Sequence, residues 1–310
     1  MGRDAGYHDQ SLNPERIVRS PMSGTPRRRH AAWVVALLAV SLAGCEGTFT
    51  SDLASDPPAD ATIAQVNANL LGVELQKADG TTENVEFTSS EAVDLLSFVD
   101  GTPMRLFTSE PLPAGDYTGI RLLFDTSTDA NVVDTVGGEK TVTLGDGPFA
   151  SVDFTVTDNR RSLAEFTLSL DLRQSLELDA AGDAYTLTPV ARAVVTTDAA
   201  TISGAVASSA CSSSTTLATD AAVYLFRERD VTPDDLDGAD AEPYATTNVV
   251  SDGSADGFQY SLRFLAPGAY TLALTCQGNL DAPGTNDDIT FVDTQNVSVD
   301  SAATAEVDLD

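Results

Sequence analysis

The sequence predicts an all-β fold made of two β-sandwich-like domains, and three features support this prediction. Apolar residues alternate with polar residues in short runs, which is the period of a strand with one buried face. Turn signals such as Asp79-Gly80 and Gly137-Gly138 separate these runs. Residues 62–198 also lack the 10- to 15-residue helical period that βαβ units require.

Residues 1–44 are predicted to be an export signal. Arg27, Arg28 and Arg29 precede an uncharged run of 13 residues from Ala31 to Ala43. A basic segment, a short apolar segment and small residues are typical of a secretory signal, and the run is shorter than the ~20 residues of a membrane-spanning helix. Met22 opens a shorter leader of ordinary form and is an alternative start; both starts leave the same mature chain.

The leader ends in Leu42-Ala43-Gly44-Cys45. This ending resembles the lipobox of bacterial lipoproteins, in which a cysteine follows a leucine and two small residues. The resemblance implies lipid transfer to the Cys45 thiol, cleavage before it, and a membrane partner through the lipid anchor. Glu46 is not a clear retention signal, so the expected location is the outer membrane, on its periplasmic or surface side. A soluble export signal with a chance cysteine is the alternative.

Residues 45–61 are predicted to comprise the lipidated Cys45 and a disordered tether. Glu46 to Ala61 contains few large apolar residues and carries Pro57-Pro58, a composition that is typical of flexible linkers. A tether of this length would reach on the order of 20 Å. It would hold the first domain just off a membrane surface.

Residues 62–198 are predicted to form the first β domain. Phe166, Leu168, Leu170 and Leu172 fall on alternate positions and should line one buried face. Several short segments also carry a family resemblance. They are Asp94-Leu95-Leu96, Gly115, Tyr117, Ile120-Arg121-Leu122, Asp171-Leu172, Ser175 and Tyr185-Thr186-Leu187-Thr188-Pro189-Val190.

Together these segments resemble a family of bacterial lipoproteins known as domain of unknown function 4382. The family often has a proline-serine-glycine turn in its middle strands, which is absent here from residues 126–149. The resemblance implies a fold, but it supplies no catalytic residues to carry over.

Residues 199–310 are predicted to form an Ig-like second β-sandwich, because six or seven short strands fit this length. Its alternating positions are Phe258, Tyr260, Leu262 and Phe264, then Tyr270, Leu272, Leu274 and Cys276. Phe264 to Tyr270 resembles the turn and strand of carboxypeptidase regulatory-like and transthyretin-like domains. Pro113 to Tyr117 echoes this pattern in the first domain, and in both places the tyrosine should enter the core with its hydroxyl at the rim.

The composition excludes several functions. Removing the leader takes away six of 17 basic and three of 47 acidic residues, which leaves a formal charge of −33. Such a charge repels nucleic acid and anionic lipid head groups. Both histidines, His8 and His30, lie in the leader, so the mature chain cannot form a histidine-dependent triad or metal site. An enzyme built on carboxylates alone stays an alternative.

Cys211 and Cys276 are the two cysteines that follow Cys45. In an exported protein such a pair is predicted to form a disulfide. Cys276 shares the face of Tyr270, Leu272 and Leu274, so its sulfur should point inward. Closing a loop of about 65 residues would stabilise the domain by roughly 4 kcal/mol.

Two acidic loops, Asp230 to Glu242 and Asp281 to Asp288, are candidates for calcium binding. Calcium prefers several carboxylate and carbonyl oxygens, although neither loop has the twelve-residue EF-hand pattern. The candidate ligands are Asp281, Asn286, Asp287 and Asp288. A solvated acidic loop without an ion is the alternative, and no other cofactor is expected.

The sequence therefore predicts a non-catalytic lipoprotein of the cell envelope that binds a protein or polysaccharide partner or serves as a scaffold. A carboxylate-only enzyme that acts on polysaccharide is one alternative, and it requires two carboxylates about 5–10 Å apart in a cleft. A calcium-dependent adhesin is the other, and it requires the acidic loops to hold an ion.

Overall fold

The computed structural model describes residues 46–158, 163–212, 216–239, 241–254 and 257–310. The export signal, Met22 and Cys45 lie outside the described residues. Strands dominate the described chain, which confirms the all-β prediction. The described residues belong to one compact unit. Within the described ranges, the helices are too short and too polar to cross a membrane.

Residues 46–198, called the N-terminal half here, form two sheets. The strands are β1 (Gly47–Asp56), β2 (Ile63–Lys77), β3 (Thr82–Asp94), β4 (Met104–Leu112), β5 (Gly115–Phe124), β6 (Ala130–Asp134), β7 (Gly138–Leu144), β8 (Ala150–Val156), β9 (Leu163–Asp171), β10 (Leu176–Leu178), β11 (Ala184–Leu187) and β12 (Ala191–Val195). A short helix α1 (Leu172–Ser175) and the 3₁₀ turns Leu95–Phe98 and Thr196–Asp198 complete it. One sheet has the order β12-β9-β1-β4, and the other has the order β10-β11-β7-β6-β2-β5-β8, with β3 also paired to β2.

The predicted disordered tether is wrong, because Gly47–Asp56 is a ten-residue strand inside the first sheet. β1 runs parallel to β9 from the Thr48–Leu163 pair to the Asp56–Asp171 pair, and antiparallel to β4 on its other side. Phe49 and Leu53 are fully buried in the main core. The phenyl ring of Phe49 lies 6.3 Å from the ring of Phe166.

Long-range ion pairs allow the polar part of β1 to be buried. The guanidinium Nε of Arg105 lies 2.6 Å from a carboxylate oxygen of Asp52. Arg192 contacts both carboxylate oxygens of Asp56, with Nη2 at 3.2 Å from Oδ1. Burial raises the pKa of Asp56 to about 6, although the Arg192 charge opposes this shift. A buried carboxylate without such a partner would be more costly, so these arginines offset part of the cost of burying Asp52 and Asp56.

The predicted buried face is present, because Phe166, Leu168 and Leu170 of β9 are buried, as is Leu172 at the start of α1. Thr167, Ser169 and Asp171 on the alternate positions are buried as well. β9 therefore lies at the centre of the fold with both faces covered, instead of having one solvated face.

Residues 199–310, called the C-terminal half, form two further four-stranded sheets within the described ranges. Their strands are β13 (Ala200–Val206), β14 (Ala222–Arg227), β15 (Ala245–Asn248), β16 (Val250–Ser251), β17 (Phe258–Leu265), β18 (Gly268–Thr275), β19 (Phe291–Val299) and β20 (Thr304–Glu306), with a short helix α2 (Leu217–Asp220). The sheet orders are β16-β17-β13-β20 and β15-β14-β18-β19. The two inner faces enclose a core that is separate from the core of the N-terminal half.

Two tyrosines confirm the echo between the halves. Tyr117 and Tyr270 are almost completely buried. The hydroxyl of Tyr117 donates a hydrogen bond to the carbonyl of Pro113 at 2.8 Å, and the hydroxyl of Tyr270 donates to Ala266 at 2.5 Å. Each hydroxyl thus satisfies a turn carbonyl four residues earlier while its ring fills the core, which is a structural role.

The predicted disulfide between Cys211 and Cys276 is present, with a Cα–Cα distance of 5.7 Å. Cys211 is buried and Cys276 packs against the core of the C-terminal half. The bond connects the segment after β13 to the end of β18. It therefore closes a loop across the two sheets of this half.

Buried polar contacts join the two halves. The carboxylate of Asp171 accepts hydrogen bonds from the backbone N–H and the hydroxyl of Thr246. Arg173 is buried and donates to the carbonyl of Gly278 and to the side chain of Asn248. These contacts come from the end of β9 and the residues directly after it, which places the C-terminal half beside that end of the N-terminal sheets.

Candidate functional site

The two acidic loops meet in the C-terminal half. Asp235 comes from the loop after β14, and Asp281 and Asp287 come from the loop after β18. One carboxylate oxygen from each of these three side chains lies within 4.8 Å of the others. The two loops leave the antiparallel pair β14–β18 at opposite ends, and they meet over the face of this sheet, where Leu236 packs on Tyr224 and Phe226. We refer to Asp235, Asp281 and Asp287 as the acidic cluster.

Only part of the ligand set predicted from the sequence lies in this cluster. Asp281 and Asp287 belong to it, whereas Asn286 and Asp288 are exposed outside it. The amide nitrogen of Asn286 instead donates to a carboxylate oxygen of Asp237 at 2.8 Å. Asp235 was missed as a ligand because it lies 46 residues before Asp281, although it falls within the acidic loop that the sequence identified.

Asp281 is fixed by two donors from the protein. The hydroxyl of Tyr224 on β14 donates to Oδ2 of Asp281, and the backbone N–H of Leu236 donates to Oδ1 at 3.1 Å. The ring of Tyr224 packs with Phe226 and Leu236 in a small apolar cluster beneath the loops. The position of the Asp281 carboxylate is therefore set by the core of the sheet.

The other two carboxylates hold the loops to each other. The backbone N–H of Asp287 donates to Oδ2 of Asp235, and the N–H of Ala282 donates to Oδ2 of Asp287 at 2.7 Å. The N–H of Gly284 also donates to the carbonyl of Leu236 at 2.6 Å. The bond of Ala282 lies within the second loop, whereas the bonds Asp287–Asp235 and Gly284–Leu236 connect one loop to the other. A change at either loop would therefore alter both.

Burial raises the pKa of two members of the cluster, Asp235 and Asp281. Burial raises the pKa of Asp235, and the neighbouring carboxylates of Asp237 and Asp234 raise it further. Burial also raises the pKa of Asp281, although the hydrogen bond from Tyr224 opposes this shift. A bound cation would reverse this penalty, because it favours the ionised form of every carboxylate around it.

The donor set fits a hard divalent cation. Three carboxylates from two loops supply several oxygen atoms, which is the chemistry that calcium prefers. The accepted hydrogen bonds leave further lone pairs on these oxygens. Metals that prefer nitrogen or sulfur ligands, such as zinc, fit poorly, because residues 45–310 contain no histidine and Cys211 and Cys276 are bonded to each other.

A groove of about 750 Å³ lies where the two halves meet, and it is the cleft in which a carboxylate-only enzyme could be sought. Its acidic lining residues are Asp100, Asp252, Glu306 and Asp308. A general acid needs a raised pKa, but the hydroxyl and backbone N–H of Ser254 lower the pKa of Asp252. Asp308 accepts a hydrogen bond from the N–H of Ala205 at 2.9 Å, which ties it to the strand β13.

Residues 46–189 match the model of the family described as Domain of unknown function (DUF4382). This match confirms the resemblance predicted for the N-terminal half, and it includes the strand β1 that had been interpreted as a tether. No curated protein matches the chain.

Three solved structures show weak similarity. The TIE protein of Bacillus anthracis is 8% identical with a TM-score of 0.19; the match covers 84% of this chain, which spans about a third (33%) of that protein. A "putative adhesin" from Bacteroides ovatus is 11% identical over 81% of this chain and 78% of its own, with a TM-score of 0.19. A "putative cell adhesion protein" from Bacteroides fragilis is 10% identical over 84% and 91%, with a TM-score of 0.19. At these scores the three matches carry no argument about function.

Proposed function

We propose that this protein is a non-catalytic, lipid-anchored protein of the bacterial cell envelope that acts by binding a partner, and that calcium at the acidic cluster shapes its binding surface. The observation that carries this proposal is the convergence of Asp235, Asp281 and Asp287 from two loops. These carboxylates are immobilised by protein donors, which suits the holding of an ion better than the transfer of a proton. The lipobox-like Leu42 to Cys45 supports the anchor.

The partner is expected to be a protein or a polysaccharide, and not a nucleic acid. The formal charge of −33 on the mature chain favours cationic or calcium-bridged contacts and disfavours anionic surfaces. Pull-down from solubilised envelopes with and without calcium tests the partner and the ion together. Equal recovery of the same partner in the presence of a calcium chelator would show that partner binding does not depend on calcium.

If calcium binds at the acidic cluster, it should raise the melting temperature of the protein. Calcium at about 100 times its Kd should stabilise the folded protein by about 2.7 kcal/mol, because the ion binds the folded cluster and not the unfolded chain. The variant Asp235→Asn should lose this shift, since it removes a buried ligand. The matched control Asp288→Asn should keep it, because Asp288 is exposed outside the cluster. Equal shifts in both variants would contradict a site at the cluster.

The calcium shift should also grow with pH. The raised pKa of Asp235 and Asp281 means that the folded protein without calcium holds their protons more tightly than the unfolded chain does. Their contribution to stability is therefore present at low pH and is lost as the pH rises through the raised pKa. Calcium offsets this loss, so its stabilising effect should increase as the carboxyl groups ionise. Melting curves with and without calcium at several pH values measure the difference.

The anchor predicts acylation at Cys45. Cys45→Ser should block incorporation of labelled fatty acid and leave an unprocessed precursor, whereas Ser41→Ala outside the four-residue motif should be acylated normally. The wild-type protein should fractionate with membranes even at high salt, because two or three acyl chains hold firmly. Equal labelling of Cys45→Ser would refute the anchor.

The proposal that the protein is not an enzyme is tested by screening protein that starts at Glu46 against polysaccharide, ester and peptide substrates. We expect no turnover. An activity that disappears when one Asp or Glu of the groove is replaced, with the fold intact, would establish the carboxylate-only enzyme instead.

A further inference from the structure

The lipid anchor and the central strand β1 are almost adjacent in the chain. We propose that the anchor holds the N-terminal half directly against the membrane, with the end where β1 begins facing the lipid, and carries the C-terminal half about 30 Å further from the surface. This inference rests on the proposed acylation of Cys45. It adds an orientation, which a flexible tether would not provide.

The link between the anchor and the fold is very short. Glu46 alone separates Cys45 from Gly47, the first residue of β1. Two extended residues span at most about 7 Å, compared with the ~20 Å reach of a flexible tether that continues to residue 61. The first residue of the strand must therefore lie within about 7 Å of the acylated residue, and so close to the lipid surface.

β1 cannot lengthen this link by detaching from its sheet. It is an internal strand with β9 on one side and β4 on the other, and it pairs with β9 along nearly its whole length. Phe49 and Leu53 are fully buried, and the ion pairs of Asp52 and Asp56 hold its polar positions. Pulling β1 out would expose these groups, so the strand acts as a rigid extension of the anchor.

An exposed leucine marks the end that would face the membrane. Leu163 begins β9 and pairs with Thr48 in β1, so its backbone lies about 5 Å from the strand that leaves Cys45. Its side chain is 55% exposed. The turn between Leu112 and Gly115 lies at the same end, because Leu112 pairs with Gly47. An apolar side chain beside the anchor can contact the lipid interface without unfolding anything.

The C-terminal half is attached at the opposite end of β1. Arg192, paired there with Asp56, donates to the backbone carbonyl of Arg263 at 2.7 Å. Just beyond that end, the carbonyl of Pro58 accepts a hydrogen bond from Asn248 at 3.0 Å. Ten residues of strand at about 3.3 Å each separate the two ends by about 30 Å.

The acidic cluster lies on the side away from the membrane. The guanidinium of Arg173, just past the end of β9, lies 5.6 Å from the ring centre of Tyr224, and the hydroxyl of Tyr224 contacts Asp281. The cluster is therefore connected to the end of the N-terminal half that is remote from Cys45. In the anchored protein it would be presented to partners and not to the lipid.

Charge cannot be the cause of this orientation. The acidic surface is repelled by anionic head groups, so the short covalent link must hold the protein in place. We expect the orientation to be the same at low and high salt, in contrast to proteins that a basic patch attaches to the membrane.

The test measures distance from the membrane at two matched positions. Leu163→Cys and Leu280→Cys are both exposed leucines, at 55% and 59%, and Leu280 lies in the C-terminal half beside Pro58. Each variant of the full-length acylated protein is labelled with a donor dye without reductant, to preserve the disulfide, and placed in vesicles with an acceptor dye on the lipid head groups. We expect efficient energy transfer from position 163 and much weaker transfer from position 280.

The control inserts about 20 glycine and serine residues between Glu46 and Gly47, which adds a reach on the order of 25 Å. This insertion should reduce the difference between the two positions. If the acylated protein without the insertion shows equal transfer from both positions, the orientation is wrong while the anchor stands. If mass spectrometry finds no acyl chain on Cys45, the anchor fails and the orientation fails with it.

Discussion

Phe49→Ala is expected to lower the free energy of unfolding of the N-terminal half by about 3–5 kcal/mol. The side chain is fully buried, and its ring packs 6.3 Å from the rings of both Phe107 and Phe166. Truncation removes this apolar burial and leaves a cavity at the centre of the sheet β12-β9-β1-β4. Denaturant unfolding followed by circular dichroism measures the loss.

The control for this prediction is Leu280→Ala, which truncates an exposed side chain and should change stability by less than about 0.5 kcal/mol. A disordered tether would make Phe49→Ala as neutral as this control. Wild-type stability in the Phe49 variant would therefore contradict the placement of β1 inside the sheet.

Loss of the disulfide is expected to cost about 4 kcal/mol, because the bond closes a loop with a sequence separation of 65 residues. The double variant Cys211→Ala with Cys276→Ala removes it without leaving a free thiol. The C-terminal half should then melt at a clearly lower temperature. Mass spectrometry of an unreduced digest of the wild type should recover the joined peptides.

Reduction of the wild-type protein provides the matched control, since it breaks the same bond and keeps both side chains. The reduced wild type and the double variant should melt close together. Full alkylation of both thiols in the wild-type protein without reductant would show that the bond does not form.

In β17 the alternating sequence pattern predicts the buried residues only up to Leu262. Tyr260 and Leu262 are buried as their spacing predicts, but Phe264 is only partly buried and Leu265 takes the core position. A register shift between β13 and β17 occurs at this point, and Phe264 has a φ of 53°. A single extra residue moves the following side chains to the other face.

The sequence predicts which loops form the candidate site, but it does not predict which of their residues lie together. A cluster of acidic residues in the sequence locates loops that could supply oxygen ligands, and Asp281 and Asp287 do lie together. The choice of Asp235 as the third member, instead of Asn286 or Asp288, follows from the packing of the first acidic loop across the sheet and against the second loop. Such proximity between distant segments is a property of the tertiary structure.

The sequence by itself determined the features that depend on local order or on composition. These are the all-β fold, the burial of the alternating apolar residues in β9 and β18, the family resemblance of the N-terminal half, and the pairing of Cys211 with Cys276. An alternating apolar pattern requires information from only a few neighbouring residues, and the two cysteines that follow Cys45 leave one intramolecular pairing.

Only the tertiary structure decided that residues 47–56 form the central strand of a sheet. Their local composition is that of a linker, with two large apolar side chains among serine, threonine and aspartate. The contacts that allow this segment to be buried come from distant parts of the chain. Arg192, 136 residues after Asp56, pairs with its carboxylate, and β9 pairs with β1. A buried charge is stable only beside its partner, and the partner becomes a neighbour only when the chain has folded.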